Sequence, residues 1–101
     1  MRLELCLWWL VILTAKTVVT VSNSSFEPKQ VTVHVGTVVE WVDGGGKHTV
    51  EADDGSFKSP VLVSGDHFDY AFPQPGIYPY HCMFHGDVGG KDMAGSVVVV
   101  R

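Results

Sequence analysis

From Lys16 to Arg101 the chain is built of short runs in which apolar and polar residues take turns, separated by clusters of Gly, Pro, Asn, Asp and Ser. Val31, Val33 and Val35 alternate with Thr32 and His34, the period of a strand buried on one face. Gly36 interrupts that run, and Val39 and Trp41 alternate with Glu40 in the next. Phe68, Tyr70 and Phe72 repeat the pattern and stop at Pro73-Gln74-Pro75-Gly76. Tyr78, Tyr80 and Cys82 then fall on one face of a further strand, with Pro79 and His81 on the other. Val18 to Val21 is a β-branched run closed by Ser22-Asn23-Ser24-Ser25, and Val97 to Val100 is a continuous apolar run suited to a strand buried on both sides. Nowhere beyond Lys16 does an apolar stripe recur at helical spacing. Short strands punctuated at regular intervals predict an all-β fold, an antiparallel β-sandwich.

The first fifteen residues differ. Leu5 to Leu13 is unbroken apolar sequence, preceded by Arg2 and followed by Thr14-Ala15-Lys16. A bilayer-spanning helix needs about 20 apolar residues, so this run suits the apolar region of a secretory signal with cleavage after Ala15. Glu4 sits where such signals carry positive charge. The competing reading retains the segment as a folded strand, and the Trp8-Trp9 pair then implies a membrane contact or an extra packed element. The expected organisation is a signal peptide or apolar segment over 1–15 and one domain over 16–101, exported to the periplasm or cell surface.

Length leaves no room for a second core, since the chain has 101 residues. A formal net charge of −4 without clustered Lys or Arg excludes an electrostatic footprint for nucleic acid. Glu51, Asp53 and Asp54 read as a solvated acidic loop that can bias which partner docks. The cysteine count adds a constraint. The chain has two cysteines, Cys6 and Cys82, and removal of residues 1–15 leaves Cys82 with no partner for a disulfide. A lone thiol in an exported domain needs a role, and metal ligation supplies one that also contributes folding energy.

Candidate donors cluster around that thiol. Cys82 and His85 form a Cys-x-x-His pair where a strand meets a loop, and Gly86, Gly89 and Gly90 lead on to Met93. His48 follows a triple glycine and opens His48-Thr49-Val50, so a separate strand end can deliver a second imidazole. Two imidazoles, a thiolate and a weak thioether are the donor set of blue-copper electron-transfer sites. Each residue alone has a plainer explanation, Met93 as core filler and His48 as a loop residue; the four together are far more specific. Met83 is the nearby alternative thioether, placed inside the Cys-x-x-His turn where it points elsewhere. His34 and His67 read as surface residues. His81 lies next to Cys82 on the opposite face, either a surface residue or a route by which a partner receives an electron.

Phe26-Glu27-Pro28, Val31-Thr32-Val33, Gly36, Val39 and Trp41-Val42 resemble the first half of plastocyanin-like cupredoxins, the small blue (type 1) copper proteins. His48-Thr49-Val50, Gly65-Asp66-His67-Phe68, Pro75-Gly76-Ile77-Tyr78, Tyr80-His81-Cys82-Met83-Phe84-His85 and Met93-Ala94-Gly95-Ser96-Val97-Val98-Val99 extend the resemblance over nearly all of Val18 to Val100. It implies a Greek-key sandwich holding one mononuclear copper through His48, Cys82, His85 and Met93, and a monomer that carries electrons between larger redox proteins outside the cytoplasm. The sequence departs from typical plastocyanins in one place, where His85 and Met93 stand further apart.

Rival functions are weaker. Structural zinc prefers closed Cys/His sets without methionine. An oxidase or reductase needs further copper sites, and the chain has no His-x-His pair, so no enzymic activity and no small-molecule substrate are expected. A binuclear copper centre needs a second cysteine four residues from the first, yet position 78 is Tyr and position 86 is Gly. A copper carrier or sensor without an electron-transfer role stays open.

Overall fold

The computed structural model describes residues 15–101 and is all-β throughout that span. Eight strands follow one another: β1 (Lys16–Ser22), β2 (Ser25–Glu27), β3 (Gln30–His34), β4 (Val38–Asp43), β5 (Glu51–Ala52), β6 (His67–Ala71), β7 (Gly76–Asp87) and β8 (Lys91–Val100). They form two four-stranded sheets, ordered β2-β1-β4-β6 and β3-β8-β7-β5. The expected signal segment over 1–15 falls, all but Ala15, outside the described residues. Ala15 itself accepts a hydrogen bond from the Val38 amide.

The alternation read from the sequence is what lets two sheets face each other. Val19 and Val21 of β1, Val31 and Val33 of β3, and Val39 and Trp41 of β4 are buried, while Thr20, Thr32 and His34 between or beside them face water. Trp41 sits at the centre, edge-to-face with Tyr80 from the opposite sheet at 5.3 Å between ring centroids. Tyr80 in turn meets Phe26 at 4.7 Å, so three aromatic rings join both sheets through contacts favoured by ring quadrupoles.

Two details differ from expectation. The ladders β1–β4 and β3–β8 run parallel, the others antiparallel. The chain changes sheet between β2 and β3 and again between β3 and β4, so strands that become neighbours need not be joined by hairpins, and sequence spacing does not reveal their direction. The run Val97–Val100 is not buried on both sides. Val97 and Val99 point into the core, Val98 is half-buried and Val100 is exposed, because β8 covers the core with one face only.

The end of the sandwich that matters is where β7 meets β8. Their register is regular from Gly76↔Val99 to His81↔Ala94, breaks, and resumes at Gly86↔Asp92. Residues 82–85 therefore bulge out of the ladder opposite a single residue of β8, Met93. The stretch expected as a glycine-rich loop is mostly strand: Gly86 and Asp87 pair with Asp92 and Lys91, and only Val88–Gly90 forms the turn.

Candidate metal centre

The bulge of β7 brings Cys82 and His85 to the edge of the core, and the segment after β4 brings His48. Cys82 and His48 are buried, whereas His85 is exposed. Cys82 Sγ lies 3.9 Å from His48 Nδ1 and 3.7 Å from His85 Nδ1. The two imidazole rings stand 5.1 Å apart, centroid to centroid. All three donor atoms lie within 4.8 Å of one another. Metal–sulfur and metal–nitrogen bonds of about 2.3 and 2.0 Å, meeting at a tetrahedral to trigonal angle, separate their donor atoms by ~3.6 Å. The observed spacings fit one ion held by all three.

His48 is held in the protonation form that such a role requires. Its Nε2 lies 2.8 Å from the Gly45 carbonyl oxygen. A carbonyl only accepts, so Nε2 carries the proton and the lone pair of Nδ1 is free to face Cys82. The triple glycine that precedes His48 is an organised turn. The Gly45 amide donates to Asp43 Oδ1 at 2.8 Å, and Gly46 has φ +89 with its α-carbon so near the ring that a Cβ would lie 2.9 Å from His48 Nε2. His48 also pairs with Leu62 through both main-chain groups.

Thr49, the residue after His48, joins the two halves of the site. Its amide donates to Cys82 Sγ at 3.5 Å, and its hydroxyl oxygen accepts from the Met83 amide at 2.9 Å. An N–H directed at sulfur fixes the orientation of the Cys82 side chain toward the two imidazoles. Sequence reasoning assigns Thr49 no role, and its adjacency to His48 is the signal that could have found it. Met93 is 1% exposed and is the one β8 residue opposite the bulge. Gly86 lies against the Met93 carbonyl so closely that no Cβ fits there. Met83, by contrast, is 54% exposed and turned outward.

Two expectations about the surroundings are corrected. His81 is on the outer face of β7 as predicted, but it is buried, because Asp53 closes over it with Oδ1 2.7 Å from His81 Nδ1. The acidic loop is likewise only partly solvated. Asp53 is tucked against His81 and Glu51 is half-buried, leaving Asp54 exposed, where hydrogen bonds from Ser56 hold its carboxyl below the usual carboxylate range. His34 and His67 are exposed as expected, His34 beside the Arg101 carbonyl and His67 beside Glu40 and Asp69. The latter three form an open, solvent-facing cluster whose Glu40 already pairs with Lys16.

Among the described residues, a double sheet without helices gathers two imidazoles and a buried thiol at one end, with the buried Met93 on the strand opposite, and this defines a copper-binding sandwich. No family model matches the chain. Solved structures do resemble it. An oxidised amicyanin variant is 27% identical, with a TM-score of 0.72, covering 82% of this chain and 80% of that one. A purple cupredoxin from Nitrosopumilus maritimus is 26% identical with a TM-score of 0.72, covering 82% of this chain and 98% of that one. A copper-containing nitrite reductase from Thermus scotoductus is 28% identical with a TM-score of 0.73, but the likeness covers 85% of this chain and only 22% of the reductase. The chain has the cupredoxin fold and resembles these copper proteins over more than four-fifths of its length.

Proposed function

We propose that the protein is a single-electron carrier working through one mononuclear type 1 copper held by His48, Cys82, His85 and Met93. The observation that carries this reading is the approach of two imidazole nitrogens to one sulfur, His48 Nδ1 and His85 Nδ1 at 3.9 and 3.7 Å from Cys82 Sγ. Soft thiolate and thioether donors suit Cu(I) and imidazoles suit copper in both states, so the ion supplies a one-electron couple when bound. The residues of the chain do the rest. The Gly45 carbonyl and the main-chain pairing to Leu62 immobilise His48, and Thr49 ties that segment to the Cys82 turn. Donors held this firmly lower the cost of reorganising between charge states.

His85 is the exposed member of the set and the natural edge for electrons to enter and leave. Around it Met83 and Phe84 are exposed, and Lys47 Nζ sits 5.2 Å from the Phe84 ring centroid. An apolar surface of this kind suits brief docking of a redox protein. The partners are redox proteins, and the chain acts outside the cytoplasm as a monomer. The similarity to amicyanin and to a purple cupredoxin supports a carrier rather than an enzyme.

Voltammetry of the copper-loaded protein, joined to a transfer assay with a metal-free copper acceptor, tests the reading. A reversible one-electron couple with copper retained through repeated cycling is expected. Loss of copper to the acceptor on each reduction would make the protein a carrier of copper and overturn the proposal.

A further inference from the structure

Asp53 makes three connections that its place just after β5 does not require. Its amide donates to the Pro79 carbonyl at 2.9 Å, which fixes its backbone to β7. Its Oδ1 lies 2.7 Å from His81 Nδ1, and its Oδ2 accepts from the Gly89 amide at 3.0 Å. The side chains of His81 and Asp53 are only 11% and 15% exposed. Both carboxylate oxygens are therefore engaged, one by the residue that precedes Cys82 and one by the turn of the β7–β8 hairpin.

The hairpin needs such a hold. Beyond His81 the ladder is broken over residues 82–85, and the tip is closed only by Gly86↔Asp92 and Asp87↔Lys91. Among the described residues, Gly89 to Asp53 is the one hydrogen bond from residues 86–92 to anything outside β7 and β8. His85 immediately precedes this tip and Met93 immediately follows it. Any swing of the tip about the broken ladder changes the separation of these two residues and their approach to Cys82.

We propose that Asp53 is a positioning residue for the metal centre: its carboxylate clamps the extended β7–β8 hairpin to the body of the sandwich and so sets the placement of His85 and Met93. This rests on the copper reading above. It also accounts for the long spacing between His85 and Met93. A short connection would hold its ends by itself, whereas a hairpin of this length needs an outside anchor. A carboxylate supplies two acceptors at once, and alanine supplies none.

The test compares the wild-type protein with Asp53→Ala and Asp53→Asn in two ways. Amide hydrogen exchange on the metal-free proteins should show Gly89 and its hairpin neighbours exchanging faster in Asp53→Ala, on the order of tenfold for one lost hydrogen bond. The Val97 and Val99 amides in the core should be unchanged. On the Cu(II)-loaded proteins, copper release to a chelator should be faster by a similar factor, with a shifted visible spectrum. Asp53→Asn, which keeps the shape and one acceptor, should fall between the two and keeps the test available if the alanine variant folds poorly. Unchanged Gly89 exchange, or unchanged release and spectrum in a variant that folds, would overturn the clamp. A wild-type protein that takes up no Cu(II) would remove the copper reading instead, and the clamp would then stand or fall on Gly89 exchange.

Discussion

Replacing Gly46 with alanine tests how His48 is held. The residue has φ +89, and an added Cβ would lie 2.9 Å from His48 Nε2. Placing an L-residue in this region costs roughly 1–2 kcal/mol. The ring must also move away from the new methyl group, which strains the 2.8 Å bond from Nε2 to the Gly45 carbonyl; losing it costs about 1 kcal/mol. The expected loss is ~2–3 kcal/mol out of a total stability of about 5–15 kcal/mol, read by urea denaturation of the metal-free protein. Copper affinity should fall further, by about 10–100-fold, as when a ligating histidine loses its orienting partner; chelator competition measures it. Gly45→Ala is the control. Nothing lies within 4 Å of a Cβ at Gly45, and its bonds to Asp43 and His48 use main-chain atoms. That variant should stay within about 0.5 kcal/mol of wild type. Equal losses in the two variants, or a Gly46→Ala protein with wild-type copper affinity, would refute the orienting role of the turn.

Met93→Leu separates a ligand from core filler. The swap nearly conserves volume, so stability of the metal-free protein should drop by less than about 1.5 kcal/mol, while the visible spectrum and reduction potential of the copper form should both change; a wild-type spectrum and potential would make Met93 a packing residue. Tyr80→Phe probes a buried hydroxyl. Tyr80 OH and Trp41 Nε1 are both without a partner of hydrogen-bond geometry, and removing an unpaired hydroxyl should leave stability at pH 7 unchanged or raise it by about 1 kcal/mol. A loss above about 1 kcal/mol would show that the hydroxyl is bonded. Burial pushes the Tyr80 phenol up from 10.0 to about 12, an effect the Trp41 indole only partly offsets. Because the folded value lies above the unfolded one, this stabilisation is complete below pH 10 and is lost as pH rises toward 12; denaturation at pH 7 and pH 11 should show a smaller fall for Tyr80→Phe than for wild type.

How far the sequence foretold the site depended on where its parts lie. The cluster that the structure brings together was legible, Cys82 and His85 because one short tract carries them and His48 because a triple glycine announces a turn before it. The strands were legible wherever one face is buried, as in Val31–Val33 and Val39–Trp41, since period-two alternation is a direct imprint of a one-sided environment. Strand direction was not, because β1 and β4 become parallel neighbours only through crossings between sheets. The Asp53–His81 contact was invisible for a similar reason. The two residues are 28 positions apart, and each alone has the ordinary appearance of a surface side chain. The glycine-rich stretch looked like a loop because Gly favours turns, yet cross-strand pairing at Gly86 and Asp87 outweighs that preference.

Addition of Cu(II) to the metal-free protein, followed by absorption spectroscopy of wild type and Cys82→Ser, tests the central claim most directly. Wild type should take up one copper per chain and develop an intense blue thiolate-to-copper band, and Cys82→Ser should remain folded without that band. A wild-type protein that binds zinc and shows no such band with copper, or a Cys82→Ser protein that retains it, would contradict the account.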